Sequence, residues 1–149
     1  MRPLAVLFTS LLLSCRSGPA PSDATLPTIP VTLPNGVVVR AELATDPSDQ
    51  QRGLMFRTSL AADRGMLFVF SKPGSHPFWM FQTLIPLDII WMDAIHRIVF
   101  LSPNTPPCPS PTPQQCPNYG GEPPAQFVLE LAAGSIASHR LQLGDTLRF

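Results

Sequence analysis

The feature that most constrains this chain is the apolar stretch from Phe78 to Asp93, which contains both tryptophans and whose only charged residues are Asp88 and Asp93. Pro86 interrupts the stretch, and proline is rarely accommodated in the middle of a paired strand because it cannot donate a backbone hydrogen bond. We therefore predict that residues 87–92 form a separate strand inside a packed core. Asp88 has to enter the core with that strand or lie at its rim.

The segments on either side have the patterns of short strands joined by turns. Asn35-Gly36 predicts a hairpin turn within residues 31–44, and the apolar run 66–70 predicts a strand buried on both faces. Proline in a first turn and a glycine stop predict a short helix at 47–52. Further strands are predicted at 76–80, 97–101, 126–131 and 146–149, and a turn of helix at 134–140. These patterns indicate a β-rich fold, all-β to α+β, forming a compact twisted barrel or sandwich with one or two short helices.

The N-terminus has the pattern of an export signal. Arg2 precedes an apolar segment, Leu4 to Leu13, that is too short for a stable membrane span. The tetrapeptide Leu12-Leu13-Ser14-Cys15 resembles a bacterial lipobox, in which the cysteine is acylated and becomes the first residue of the mature protein. The alternative is an ordinary secretory signal with a chance cysteine. We predict a lipoprotein signal peptide over residues 1–15 and lipid attachment at Cys15, on the extracytoplasmic side of the bacterial envelope and facing the periplasm or cell surface.

The remaining chain divides into a tether and one domain. Residues 16–30 are rich in proline and serine and have no hydrophobic period, so we expect a flexible tether. Residues 31–149 are expected to form a single β-rich domain. Ten basic and ten acidic residues cancel, which gives no field that would favour nucleic acid. The membrane, through Cys15, and a small molecule or an envelope protein are the partners we expect.

A second proline-rich segment, residues 102–124, contains Cys108 and Cys116. In an exported protein, two cysteines at this spacing indicate a disulfide. A zinc site would require more ligands, and closer pairs of them, than this segment offers. We predict the disulfide and expect no metal or cofactor.

Several short motifs occur in an order that resembles a known family, the uncharacterised bacterial and archaeal proteins called domain of unknown function 192. The motifs are Gly53-Leu54-Met55-Phe56-Arg57, Gly65 to Phe70, Phe78-Trp79-Met80 with Thr83, Ile85 to Ile90, Val128-Leu129-Glu130-Leu131 with Ala133-Gly134, and Gly144-Asp145. The chain departs from the usual pattern at Phe81-Gln82, where Lys-Asn is typical. The resemblance implies a compact β-rich fold and no particular activity.

The polar residues inside these motifs are the candidate site. Asp88 alternates with apolar residues in its strand, so its carboxylate needs a partner, and we expect an arginine, Arg57 before Arg64. Such a pair could belong to a ligand pocket or could be an internal staple. Arg57, Trp79, Thr83 and Asp88 are therefore our ligand-binding candidates, and no catalytic residue is assigned.

Three functions are consistent with this pattern. We favour a non-enzymatic small-ligand-binding or accessory module of the cell envelope. The first alternative is an enzyme of unknown reaction that uses a pocket formed by Asp88, Arg57 and Trp79. The second is a periplasmic Cu(I)-binding protein, because thioether ligands suit Cu(I) and four methionines, Met55, Met66, Met80 and Met92, lie close to tryptophan and histidine in the sequence. We regard these methionines as core residues, since methionine fills irregular interior space.

Overall fold

The computed structural model describes residues 26–149. The predicted signal peptide with Cys15, and residues 16–25 of the predicted tether, lie outside this part of the chain. No helix within residues 26–149 is long and apolar enough to cross a membrane.

The described chain is mostly strand, with short helices at its turns. In chain order the elements are β1 Thr28–Thr32, β2 Val38–Ala44, α1 Pro47–Arg52, β3 Arg64–Gly74, β4 Pro77–Phe78, β5 Leu87–Met92, β6 Ile98–Thr105, a 3-10 turn Pro113–Gln115, β7 Tyr119–Gly120, β8 Ala125–Ala132 and α2 Ser135–His139. The predicted hairpin at 31–44, the helix ending before Gly53 and the strand at 87–92 are confirmed. The first strand begins at Thr28 rather than at Val31.

Six strands form one mixed sheet in the order β1-β2-β3-β8-β5-β6, and β4 pairs with β7 in a separate ribbon. The β2–β3 pair is parallel, and α1 lies in the connection between those two strands. All other pairs are antiparallel. The protein therefore has a β-rich α+β fold.

The six-stranded sheet is not closed into a barrel within residues 26–149, since β1 and β6 remain its edges. The C-terminal segment spans part of the distance between them by isolated bridges rather than by the strand predicted at 146–149. Arg148 exchanges two backbone hydrogen bonds with Thr32, and Leu147 N donates to His96 O at 3.1 Å. An open sheet with a partial C-terminal closure replaces the barrel or sandwich that the strand pattern suggested.

The core has two parts, one on each face of the sheet. The α2 face contains Leu67, Ile90, Leu129 and Leu131 packed with Ile136 of α2. The other face, here called the cavity face, contains Phe68, Ile89, Trp91 and Val128. All six residues of β5 are buried, which explains why five of the six are apolar instead of alternating with polar residues.

Candidate functional site

A cavity of about 290 Å³ opens on the cavity face of the sheet. Its walls come from α1 and the residues that follow it, from Phe68 and Phe70 of β3, and from residues 75–79 around β4. Thr83 and Glu130 complete the lining. Gly53, directly after α1, is one of the lining residues, and concave surfaces of this kind are where small-molecule sites are usually found.

Glu130 of β8 is the buried acidic group of this cavity. Glu130 is only 5% exposed. Its Oε2 atom has no hydrogen-bond partner among the described residues. Burial raises the pKa of Glu130 from 4.5 to about 8, and the positive charge of Arg57 opposes that rise. The carboxyl group is therefore mostly protonated at neutral pH.

Arg57 does not hold Asp88, in contrast to our prediction. Its guanidinium makes a two-point ion pair with Glu42 of β2, with Nη1 donating to Oε1 at 2.5 Å and Nη2 to Oε2 at 2.6 Å. This fork geometry suits a carboxylate. Arg57 also affects the candidate site, since its positive charge lowers the pKa of Glu130.

Asp88 is satisfied by backbone donors instead of an arginine. It is fully buried, its Oδ1 accepts the Asn104 N–H at 2.7 Å, and its Oδ2 accepts the Ile136 N–H at 2.6 Å. The predicted pairing was wrong because a buried carboxylate can be stabilised by N–H groups at a helix start and a strand end as well as by a cation. Asp88 thereby joins β5, β6 and α2, and it acts as an internal staple.

His76 also lines the cavity and has a buried, unpaired polar atom. Its Nε2 is buried and has no hydrogen-bond partner within residues 26–149. The ring stacks on Phe70 with centroids 3.6 Å apart, and the backbone carbonyl accepts a 2.8 Å hydrogen bond from Trp91 Nε1. The stacking holds the imidazole ring, and the hydrogen bond holds the backbone of His76.

The structure brings together two of the four predicted ligand-binding candidates. Trp79 is 38% exposed and lines the cavity, as does the buried Thr83. Asp88 lies on the α2 face instead, because the strand register pairs it with Leu131 of that face. The predicted group is thus divided between the two faces of the sheet.

The disulfide predicted between Cys108 and Cys116 is present. It closes the proline-rich segment against the cavity region, since Cys108 N donates to Met80 O at 3.1 Å and β7 pairs with β4. Gly120 of β7 lies directly on Trp91, where an added Cβ would come within 2.3 Å of the indole. The segment therefore supports the wall formed by β4.

The methionines considered for Cu(I) are divided between the two faces of the sheet. Met66 and Met80 are buried in the cavity-face core, Met92 is buried in the α2-face core, and Met55 lines the cavity. In the described part of the chain, no group of three or more His, Cys, Asp or Glu side chains could hold a metal ion.

Our sequence reasoning missed Glu130 and His76 as site residues. Glu130 was visible only as one residue of a family motif, although an acidic residue between Leu129 and Leu131 in a strand with a buried pattern is itself unusual. His76 carries no such signal, because its neighbours are turn residues.

Comparisons with known proteins support the fold. The model of the domain of unknown function 192 family, described as "Uncharacterized ACR", matches residues 31–149. A crystal structure of a protein of unknown function from Novosphingobium aromaticivorans is 30% identical, with a TM-score of 0.76 over 95% of this chain and 99% of that one. A putative transcription regulator from Sinorhizobium meliloti is 31% identical, with a TM-score of 0.75 over 85% of this chain and 96% of that one. No curated protein matches the chain.

Proposed function

Since this chain belongs to the domain of unknown function 192 family, a family described only as uncharacterised, we propose that it is a non-enzymatic small-ligand-binding module of the bacterial cell envelope. Its ligand would occupy the cavity between α1, β4 and β8, and a lipid on Cys15 would hold the domain at the membrane.

The observation that carries the binding proposal is the unpaired Oε2 of Glu130. Folded proteins pair nearly all of their buried polar atoms, because an unpaired one costs about 1–3 kcal/mol. An unpaired carboxyl oxygen beside an open cavity is therefore a position that a ligand would satisfy. The unpaired Nε2 of His76 in the same wall supports this interpretation.

The alternative enzyme built on Asp88, Arg57 and Trp79 has less support. Asp88 uses both carboxylate oxygens on backbone N–H groups and lies on the α2 face. Trp79 lines the cavity on the opposite face. A single pocket containing both side chains is not what the fold provides.

The envelope location rests on two features. The first is the lipobox-like sequence that ends at Cys15. The second is the disulfide between Cys108 and Cys116, a bond that persists mainly in oxidising compartments outside the cytoplasm.

A screen of small molecules by thermal shift tests the binding proposal. A ligand at about 100 times its Kd should raise the midpoint of the wild-type protein by roughly 5–10 °C. The same ligand should not shift Glu130→Leu, which removes the carboxyl group and keeps an apolar side chain. Asp63→Asn is the matched control, because the Asp63 side chain is 69% exposed and lies outside the cavity lining. A screen without hits, or hits that shift Glu130→Leu equally, would contradict the proposal.

A further inference from the structure

The chemistry of the cavity also indicates a class of ligand, and this inference depends on the function proposed above. We propose that the cavity binds uncharged small molecules in which an apolar body carries a carboxamide or a similar adjacent donor and acceptor, with that polar group placed against the carboxyl of Glu130.

The size and walls of the cavity set the body of the ligand. A volume of about 290 Å³ is close to the lower end of the range of about 300–1,000 Å³ for small-molecule pockets, so the ligand is a small one. The walls include Leu54, Phe68, Phe70 and Phe78. Such walls favour a flat, apolar body, since aromatic and aliphatic side chains gain from contact with another apolar surface.

The buried carboxyl of Glu130 in the lining sets the polar group of the ligand. A protonated carboxyl presents an O–H donor beside a carbonyl acceptor, and a carboxamide presents the complementary pair. The two groups can therefore form two parallel hydrogen bonds at once.

The charges around Glu130 argue against a cationic ligand. Arg57 acts electrostatically on Glu130 and forms an ion pair with Glu42 of β2. Arg52 of α1 lines the cavity. His76 is the remaining titratable group of the lining. Within the described lining an ammonium group would meet no ionised carboxylate, because Glu130 keeps its proton up to about pH 8 and Glu42 is paired with Arg57. An uncharged group avoids the large desolvation cost of burying an ion.

The protonation of Glu130 gives the inference a pH signature. Because the carboxyl keeps its proton up to about pH 8, the affinity for an uncharged amide should be nearly constant at lower pH. Above that value the donor is lost, and the affinity should fall about tenfold for each further pH unit. Glu130→Gln keeps a donor and an acceptor in the same place, so it should retain binding and lose this pH dependence.

Three probes with the same ring separate the ligand classes: benzamide, benzylamine as the cation and benzoate as the anion. Binding of each to the purified full-length protein is followed by NMR titration at about pH 6.5, and benzamide again at about pH 9. We expect benzamide to bind at least about tenfold more tightly than the other two. Glu130→Gln should bind benzamide within about threefold of wild type at both pH values, and Glu130→Leu should lose at least about tenfold.

Other outcomes overturn the inference. Tighter binding of benzylamine, together with its loss in Glu130→Gln, would assign a cationic ligand, and tighter binding of benzoate would assign an anionic one. Absence of binding by all three probes would also reject the inferred class. The proposed function would survive that result if the broader screen yields a ligand that Glu130→Leu does not bind, so the two failures are distinguishable.

Discussion

Asp88 of β5 and Glu130 of β8 are two buried carboxyl groups on neighbouring strands that lie on opposite faces of the sheet. The antiparallel register pairs Asp88 with Leu131 and Ile89 with Glu130. Because directly paired residues share a face and successive residues alternate, this offset of one residue sends the two side chains in opposite directions. Asp88 is satisfied by two backbone N–H groups, whereas Glu130 retains an unpaired oxygen. One carboxyl group therefore stabilises the fold, and the other is the group that we propose contacts a ligand.

Replacing Asp88 should destabilise the protein without changing the cavity. Asp88→Ala leaves the N–H groups of Asn104 and Ile136 without their acceptor, and we expect a loss of about 2–4 kcal/mol in the free energy of unfolding. Asp88→Asn keeps one acceptor oxygen and should cost less. Urea denaturation provides the measurement. A ligand found in the screen should still bind to folded Asp88→Asn, and loss of binding there would contradict the division between the two faces.

A double-mutant cycle tests the separation of Asp88 from Arg57. Arg57 pairs with Glu42 rather than with Asp88, so the effects of Asp88→Ala and Arg57→Ala on the free energy of unfolding should add within about 0.5 kcal/mol. An interaction energy above about 1 kcal/mol would show that the two residues are coupled after all. Glu42→Ala with Arg57→Ala is the positive control, because those two side chains are in contact.

The stability of the protein should fall as the pH rises from about 5 to about 8. The pKa of Glu130 is near 4.5 when the chain is unfolded and about 8 when it is folded, so the folded state binds more protons within this range. Its contribution to the free energy of unfolding is complete below about pH 4.5 and decreases by at most about 1.4 kcal/mol per pH unit up to about pH 8.

Glu130→Gln isolates this contribution, because glutamine does not titrate. The slope of the free energy of unfolding against pH should be smaller in Glu130→Gln than in wild type between about pH 5 and pH 8, as measured by urea denaturation in matched buffers. Equal slopes in the two proteins would show that Glu130 titrates at its ordinary pKa.

Removing the disulfide should weaken both the fold and the cavity wall. The bond joins Cys108 and Cys116, eight residues apart, and the model of chain entropy gives about 2–3 kcal/mol at most for so short a loop. Cys108→Ser with Cys116→Ser should lower the free energy of unfolding by no more than this amount. Because β7 supports β4, the same variant should bind the ligand more weakly. Free-thiol counting on unfolded, unreduced protein checks the bond itself, and reactive Cys108 and Cys116 would contradict it.

The lipid anchor is tested at Cys15. Cys15→Ala should release the protein from the membrane fraction or leave an unprocessed precursor, because acylation requires the cysteine. Cell fractionation and mass spectrometry of the mature N-terminus provide the readouts. Wild-type protein that is already fully soluble and carries no acyl mass would contradict the lipoprotein prediction.

Much of the fold was predictable because local patterns specify strands and turns. The hairpin around Asn35-Gly36 and the separate strand after Pro86 depend on backbone preferences of single residues, and both are observed where they were predicted. The proximity of Cys108 and Cys116 depends on their short separation, so it too could be inferred. Each of these features is decided within about ten residues of chain.

The strand order could not be inferred from the sequence in the same way. Placing β8 between β3 and β5 joins segments that are distant along the chain, and no local preference encodes which apolar strand becomes the neighbour of another. The parallel β2–β3 pair follows from α1 reversing the chain between them. The choice among such arrangements depends on the burial of the whole set of apolar faces at once.

The sequence by itself determined that Asp88 and Glu130 lie in apolar strands, where a carboxyl group requires an explanation. Only the tertiary structure decided which explanation applies to each. Asp88 meets N–H groups contributed by β6 and the start of α2, while Glu130 faces a cavity formed by α1, β3 and β4. The hydrogen-bond partners of a buried group come from segments distant in sequence, and these are brought together only when the sheet assembles.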